Sequence, residues 1–153
     1  MNHLFDIFDT LEQLPPNSEA VLATVVSVEG SAYRQPGARM LILADGQSIG
    51  MVSGGCLEKH LVQRAFWLTR HGATLKTYHT ATDSQLSQDE VADDNDEQEG
   101  FGLGCQGVIQ VLFERLVLNE QSVLFACFQQ LKQTKQPQIL ATVITSNSDE
   151  FVV

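Results

Sequence analysis

The chain has 153 residues, which is the size of one domain with a hydrophobic core of its own. Its composition, 43% hydrophobic and 18% charged, is typical of a soluble globular protein, and no apolar run approaches the roughly 20 residues of a membrane-spanning helix. The net charge of -10 is mostly local to residues 82–99 and leaves the rest of the chain near neutral, and no concentration of basic and aromatic residues indicates a nucleic-acid-binding surface.

The first half of the chain is predicted to form a helix followed by three strands. Apolar residues recur at helical spacing over residues 3–14, and Pro15-Pro16 ends that pattern. Residues 20–28 are β-branched and almost entirely apolar, as in a strand buried on both faces. Residues 40–44 and 47–52 flank Asp45-Gly46, which predicts a hairpin.

The second half continues with helices and strands in alternation. Helices are predicted over residues 57–68 and 121–135, the second with an apolar side that includes Val123. Strands are predicted over residues 73–81 (as an edge strand), 108–116 and 138–145. The order of elements predicts an α/β fold, a single domain with a mixed β-sheet flanked by helices.

Residues 82–99 carry much of the negative charge, with eight acidic residues and no lysine or arginine. So little apolar surface predicts a flexible, solvated loop. A metal site is the alternative, but this stretch has no glycine from which to build a rigid turn.

The stretch from Ser53 to Glu58 (SGGCLE) joins a strand pattern to a helix pattern. Gly54 and Gly55 let backbone N–H groups approach a ligand, and the helix N-terminus favours an anion or the thiolate form of Cys56. Glu58 either complements the helix dipole or accepts a proton beside the thiol. By itself the stretch fits an ordinary strand-to-helix turn with a small buried cysteine equally well.

A second glycine-rich turn, residues 100–107 (GFGLGCQG), carries Cys105. Such turns commonly meet at one edge of the sheet in α/β proteins, so Cys56 and Cys105 could face one pocket. Two thiolates suit zinc, copper(I), a molybdenum–sulfur centre or a persulfide, although neither cysteine belongs to the CxxC unit of a structural zinc site. Cys127 lies on a helical apolar stripe and is interpreted as a small core residue.

The loop after the first strand offers three more polar candidates, Ser31, Arg34 and Arg39. The planar guanidinium group of arginine suits phosphate. For Arg39, which starts a strand, a surface ion pair is the alternative. The four histidines show no regular ligand spacing, and none is interpreted as catalytic.

Four blocks of sequence occur in a distinctive order over residues 20–60 and 100–117. They are LATVV with Glu29-Gly30-Ser31 and Arg34, then GARM from Gly37, SGGCLE from Ser53, and GLGCQG from Gly102 with VLFE from Val111. Together they resemble the XdhC/CoxI family, the accessory proteins of molybdenum hydroxylases such as xanthine and carbon monoxide dehydrogenases.

The resemblance implies transient binding of a molybdopterin-type molybdenum cofactor, support of its sulfuration, and its insertion into an apo molybdenum hydroxylase. It also implies that Cys56 and Cys105 contact molybdenum or its transferable sulfur. The other cofactor-binding residues expected from the matched blocks are Ser31, Arg34, Arg39, Ser53, Gly54, Gly55, Glu58, Gly104, Gln106 and Gly107. A cysteine desulfurase is a possible second partner, and a homodimer is expected.

Family members usually continue into a C-terminal Rossmann-like domain, for which 153 residues leave no room. We therefore expect residues 1–153 to be the N-terminal domain alone. Residues 139–143 (ILATV) nearly repeat residues 21–25 (VLATV), so residues 138–153 are expected to be either a closing strand or the start of a truncated segment.

The sequence also predicts where the protein acts and whether it is an enzyme. Three cysteines, an odd and low number, suit a reducing cytoplasm, and the N-terminal residues lack the features of a secretory signal. The motifs favour a non-catalytic maturation factor. Two alternatives stay open, namely a thiol-based sulfur or redox transferase that uses Cys56 and Cys105, and a module that only docks a partner dehydrogenase.

Overall fold

The computed structural model describes residues 3–55, 57–79, 99–100, 107–119 and 122–134, together with residues 139, 141, 142 and 144. Helices and strands follow one another along these residues in the order α1 (Leu4–Gln13), β1 (Glu19–Gly30), β2 (Arg39–Leu43), β3 (Ser48–Gly50), α2 (Glu58–Leu68), β4 (Thr74–His79), β5 (Glu99–Gly100), β6 (Gly107–Val117) and α3 (Val123–Gln133).

Within the described residues the strands form one six-stranded sheet in the order β3-β2-β1-β6-β4-β5. Neighbouring strands are antiparallel except for β4 and β5, which are parallel, so the predicted mixed sheet is confirmed. The long strand β1 pairs with β6 from Glu19 opposite Val117 to Gly30 opposite Gly107.

Helices cover both faces of the sheet because successive strand residues point to opposite sides. On one side, Val21 and Ala23 of β1 share a core with Leu61 of α2, and we call this side the α2 face. On the other, Ala20 and Leu22 share a core with residues of α1 and α3, and we call this side the α1–α3 face. The predicted α/β architecture, a sheet flanked by helices, is therefore confirmed.

The ends of several elements follow the local sequence. Helix α1 ends at Gln13, just before the two prolines. In the β2–β3 hairpin, Gly46 adopts a φ of 85°, and Asp45 Oδ1 accepts a hydrogen bond from the backbone N–H of Gln47 at 2.9 Å. Ser122 caps α3, its hydroxyl oxygen accepting from the backbone N–H of Phe125 at 3.3 Å.

Some predictions about the second half are wrong. Of the strand predicted over 138–145, the described residues 139, 141, 142 and 144 are in no strand, and Ile139 is 96% exposed. Strand-forming side chains need a neighbouring strand and a core to pack on, which a five-residue repeat does not supply. Val123 is likewise exposed at the start of α3, and Phe128 is the α3 side chain that becomes buried.

Two further differences concern the sheet edge. Strand β4 was predicted as an edge strand, but β5 pairs beyond it at Tyr78–Glu99 and His79–Gly100. Glu99, expected in the acidic loop, therefore belongs to a strand. The remainder of that predicted loop, residues 82–98, lies outside the described residues.

The three helices contain 10 or 11 residues each. In the part of the chain that the structure describes, no helix has the length and apolar character needed to cross a membrane.

Candidate functional site

The candidate residues cluster around one end of the sheet, which we call the loop end. Strands β1, β3, β4 and β5 finish there and β2 and β6 begin there, as the pairing registers show. The connection from β3 to α2 contains Cys56, and the connection from β5 to β6 contains Cys105. Both glycine–cysteine turns are therefore joined to strands at the same end of the sheet, as predicted for turns that share a site.

Cys56 and Cys105 lie outside the described residues, as do Gly104 and Gln106. Their neighbours in the chain are described, and these show what holds the two turns. The loop between β1 and β2, residues 31–38, reaches the flanks of both.

The second turn is held close to this loop at Gly107. A Cβ on Gly107 would collide with the carbonyl oxygens of Glu29 and Ser31. Only glycine allows two backbone segments to approach this closely. Ser31, one of the predicted site residues, thus contacts the end of the turn that carries Cys105.

The first turn contacts the same loop through Tyr33. A Cβ on Gly54 would lie 3.4 Å from the Tyr33 ring, so the ring rests beside the Ser-Gly-Gly turn. The ring is 68% exposed and faces the guanidinium group of Arg34, whose Cζ is 5.6 Å from the ring centroid. Sequence reasoning missed Tyr33, although an aromatic residue in a glycine- and proline-containing loop between Ser31 and Arg34 was a usable signal.

Glu58 locks the first turn in place. Its carboxylate accepts hydrogen bonds from the backbone N–H groups of Val52 and Ser53, at 3.2 and 2.7 Å, and from the Ser53 hydroxyl at 2.7 Å. Glu58 lies in the first turn of α2, as predicted for an acid that complements the helix dipole, and these hydrogen bonds give it a further role. Glu58 positions the loop that carries Cys56.

Ser53 also stabilises the first turn through hydrogen bonds to the residues that follow it. It is 5% exposed, and its Oγ accepts from the backbone N–H groups of Gly55 and Leu57, each at 3.3 Å. The N–H of Gly55 was expected to point at a ligand, but in this conformation it donates within the turn. The turn is thus organised by its own side chains, which lowers the entropic cost of binding a ligand.

Arg34 and Arg39 meet in a small cleft of about 50 Å³. Arg39 lies on the same side of β2 as Leu41 and Leu43, which pack on the α1–α3 face, and the start of α1 lines the cleft. Helix α2, by contrast, leads from Cys56 onto the opposite face. The two arginines are therefore brought together with each other, beside the turn rather than beneath it.

Arg34 has an unsatisfied donor in this cleft. Its Nη2 lies 3.5 Å from the Met51 sulfur, whereas its Nε is buried and has no hydrogen-bond partner among the described residues. A buried donor without an acceptor is costly, and a ligand oxygen would satisfy it. The residues thus fit an anionic group such as a phosphate.

Arg39 is a weaker candidate for an anion. Its Nη1 donates to the Gly37 carbonyl oxygen at 3.1 Å, and its positive charge acts on Glu114 of β6. Burial raises the pKa of Glu114 above its usual value, and the nearby Arg39 charge opposes that rise. Because Glu114 already compensates part of the Arg39 charge, we rank Arg34 first.

The remaining candidates for metal binding are few. No group of three or more His, Cys, Asp or Glu side chains suited to a metal ion occurs among the residues that the structure describes. Cys127 is a free, half-buried thiol on α3, in neither of the two turns, so its interpretation as a packing residue holds only in part.

Comparison with known proteins places this site in context. Residues 15–79 match the model of the XdhC and CoxI family. Over 122 residues the chain is 38% identical to a probable xanthine dehydrogenase subunit of Bacillus subtilis (strain 168), covering 79% of this chain and 33% of that protein. Over 48 residues it is 46% identical to the molybdenum cofactor insertion chaperone PaoD of Escherichia coli (strain K12), covering 31% of this chain and 15% of that protein.

The fold is similar to that in a crystal structure of a xanthine dehydrogenase from Bacillus halodurans, with a TM-score of 0.61 and 30% identity over 85% of this chain and 34% of that one. The chain thus spans about a third of the length of this protein and of the Bacillus subtilis relative. The matched family segment contains the loop of Tyr33 and Arg34 and the turn locked by Glu58. Over residues 15–79, this chain is similar to the XdhC and CoxI family.

Proposed function

We propose that this chain binds a molybdopterin-type molybdenum cofactor at the loop end of the sheet and supports its insertion into an apo molybdenum hydroxylase. One structural observation supports the proposal, namely that Gly54 and Gly107, the described residues beside the two cysteine turns, both contact the loop of residues 31–38 at the same end of the sheet. The names of the related proteins support this direction, since one refers to xanthine dehydrogenase and the other to a cofactor insertion chaperone.

Each residue of the site has a proposed role in holding the cofactor. Cys56 and Cys105 supply soft thiolates for molybdenum or its sulfur, and the bound group would supply a transferable metal–sulfur centre. Arg34, with its unsatisfied Nε, takes an anionic oxygen of the phosphate, and the exposed ring of Tyr33 offers a stacking surface to the pterin. Glu58 and Ser53 hold the Cys56 turn in shape.

The finer parts of the proposal follow from the family resemblance. The cofactor is held transiently, sulfuration is supported while it is bound, and a cysteine desulfurase is the source of sulfur. The protein acts in the cytoplasm, as its low and odd number of cysteines favours. The family resemblance also leads us to propose a homodimer as the working form.

The proposal is tested by adding cofactor released from a molybdenum enzyme to the purified protein, followed by gel filtration. Molybdenum content and pterin fluorescence of the protein fraction are measured. We expect wild-type protein to retain both, and Cys56→Ser and Cys105→Ser to weaken retention by more than about tenfold because a metal ligand is lost.

Cys127→Ser is the matched control, since it removes a thiol that lies on α3 rather than in a turn. It is expected to retain the cofactor as the wild type does. Absence of molybdenum and pterin from the wild-type fraction, or equal retention by all three variants, would refute the proposal.

A further inference from the structure

A cationic aromatic surface lies on the outer side of α2 and extends from its first turn to the turn after the helix. Leu61, Ala65 and Leu68 face the core, so the exposed side of the helix and of the turn after it carries the residues Lys59, Gln63, Trp67 and Arg70. We call this set the Trp67 face. Trp67, the single tryptophan of the chain, is 47% exposed there.

The indole ring of Trp67 is held in position by its neighbours. The Arg70 guanidinium lies over the ring, with Cζ 3.7 Å from the centroid, and its Nη1 donates to the Trp67 carbonyl oxygen at 3.0 Å. The Arg64 guanidinium also approaches the ring, at 5.4 Å. A large side chain that is both exposed and ordered loses little conformational freedom when a partner covers it.

The framework beneath this face is also tied down. Arg115 of β6 donates to the carbonyl oxygen of Phe66, and its Nε donates to the Thr69 hydroxyl at 3.3 Å. These bonds fasten the C-terminal end of α2 to the centre of the sheet. The Trp67 face is therefore presented on a rigid element.

The charge of this region is opposite to that of the whole chain. Residues 59–82 contain four lysine or arginine residues and no aspartate or glutamate, in a protein of net charge -10. Tryptophan and arginine are the residue types most enriched at the energetic centres of protein interfaces, and complementary charge selects the partner. A positive patch on an acidic protein points to a partner whose own surface is locally acidic.

From this geometry we propose that the Trp67 face docks a carboxylate-rich surface of a partner protein, with an apolar residue of that partner covering the indole. A protein partner is favoured over nucleic acid because this surface has two exposed basic side chains, Lys59 and Arg70, beside a single tryptophan, whereas nucleic-acid interfaces neutralise many more phosphates. The proposal does not depend on cofactor binding.

Trp67 reports on its own surface, because the chain has no other tryptophan to contribute to the emission. The experiment titrates the full chain with a short synthetic peptide of glutamate and leucine residues while tryptophan emission is recorded. We expect a saturable change in emission that about 0.5 M NaCl abolishes through screening. The same peptide with lysine in place of glutamate should give no change.

Two variants of equal net charge provide the control. Arg70→Gln should weaken binding of the acidic peptide about tenfold, because it removes both a positive charge and the group that orients the ring. Lys132→Gln, on α3 at the opposite side of the sheet, should bind as the wild type does. Calorimetric titration of Trp67→Phe supplies a second measurement, in which binding should also be weakened, and Cys56→Ser should leave the peptide response intact.

Several results would overturn the proposal. One is an unchanged emission on addition of the acidic peptide, and another is equal weakening by Arg70→Gln and Lys132→Gln. A response to phosphatidylglycerol vesicles but not to the peptide would identify a membrane surface instead. A change with protein concentration alone would indicate a second copy of the chain, and a change with salt alone would indicate the chain's own acidic residues.

Discussion

At the scale of single residues, Glu58 determines the shape of the candidate site. Its carboxylate accepts three hydrogen bonds from Val52 and Ser53, and Ser53 accepts two more from Gly55 and Leu57. Because hydrogen bonds to a charged acceptor are stronger than neutral ones, this residue has a larger structural effect than its half-buried position in the first turn of a helix would indicate.

We expect Glu58→Gln to loosen the turn. The substitution keeps the size of the side chain but removes the charge and one acceptor oxygen, so the free energy of unfolding should fall by about 1 to 3 kcal/mol. Hydrogen exchange of the Val52 and Ser53 amides should accelerate together with that of Gly55. Urea denaturation and exchange measured by mass spectrometry report the two effects.

Glu12→Gln is a suitable comparison, since Glu12 is a surface carboxylate whose bond partner is Lys132 on α3. It should leave exchange in the turn unchanged. Unaltered protection of Val52 and Ser53 in Glu58→Gln would show that the turn is held by other contacts.

The sequence predicted where Glu58 lies but not the hydrogen bonds that it accepts. A position in the first helical turn follows from the local pattern, whereas the bonds to Val52 and Ser53 depend on how the Ser-Gly-Gly turn folds back. Tyr33 was missed for the same reason. Its neighbour Gly54 is 21 positions away in the numbering, and no local pattern connects them.

At the scale of elements, the start of β6 lies very close to the loop after β1. Gly107 begins β6 opposite Gly30, and the carbonyl oxygens of Glu29 and Ser31 occupy the space that a Cβ would need. The first residue of β6 must therefore be a glycine for the loop after β1 to pack this closely against it.

Gly107→Ala is expected to push the loop away from the start of β6. Overpacking of this kind should lower the free energy of unfolding by about 1 to 3 kcal/mol, measured by thermal or urea denaturation. Gly54→Ala is the matched variant, because its Cβ would meet nothing closer than the Tyr33 ring at 3.4 Å. Equal stability of the two variants would contradict the close approach.

Most elements were predictable because their periodicity is strong. The apolar stripe of α1, the alternation in β6 and the Asp45-Gly46 hairpin all carry local signals that the fold obeys. The prediction of a strand over residues 138–145 was wrong because it rested on a short repeat of strand-forming residues, with no evidence of a neighbouring strand. The prediction that Val123 belongs to the apolar side of α3 was wrong because helical spacing alone does not show whether the sheet extends far enough to cover the first turn of the helix.

At the scale of the whole molecule, the sheet separates two kinds of surface. On one side of the sheet, helix α2 exposes the positively charged Trp67 face. On the other side, α1 exposes Asp6, Asp9 and Glu12. The loop end, with Tyr33 and the two cysteine turns, lies at the end of the sheet between these surfaces. A cofactor site and a separate docking surface can therefore operate on one small domain without competing for residues.

A short bifunctional thiol reagent tests whether the two cysteine turns form one site. The reagent is applied to Cys127→Ser protein, so that Cys56 and Cys105 are the only thiols left, and the proteolytic peptides are identified by mass spectrometry. We expect a cross-link between Cys56 and Cys105 within one chain. Single modification of each cysteine, with no cross-linked peptide, would contradict a shared site.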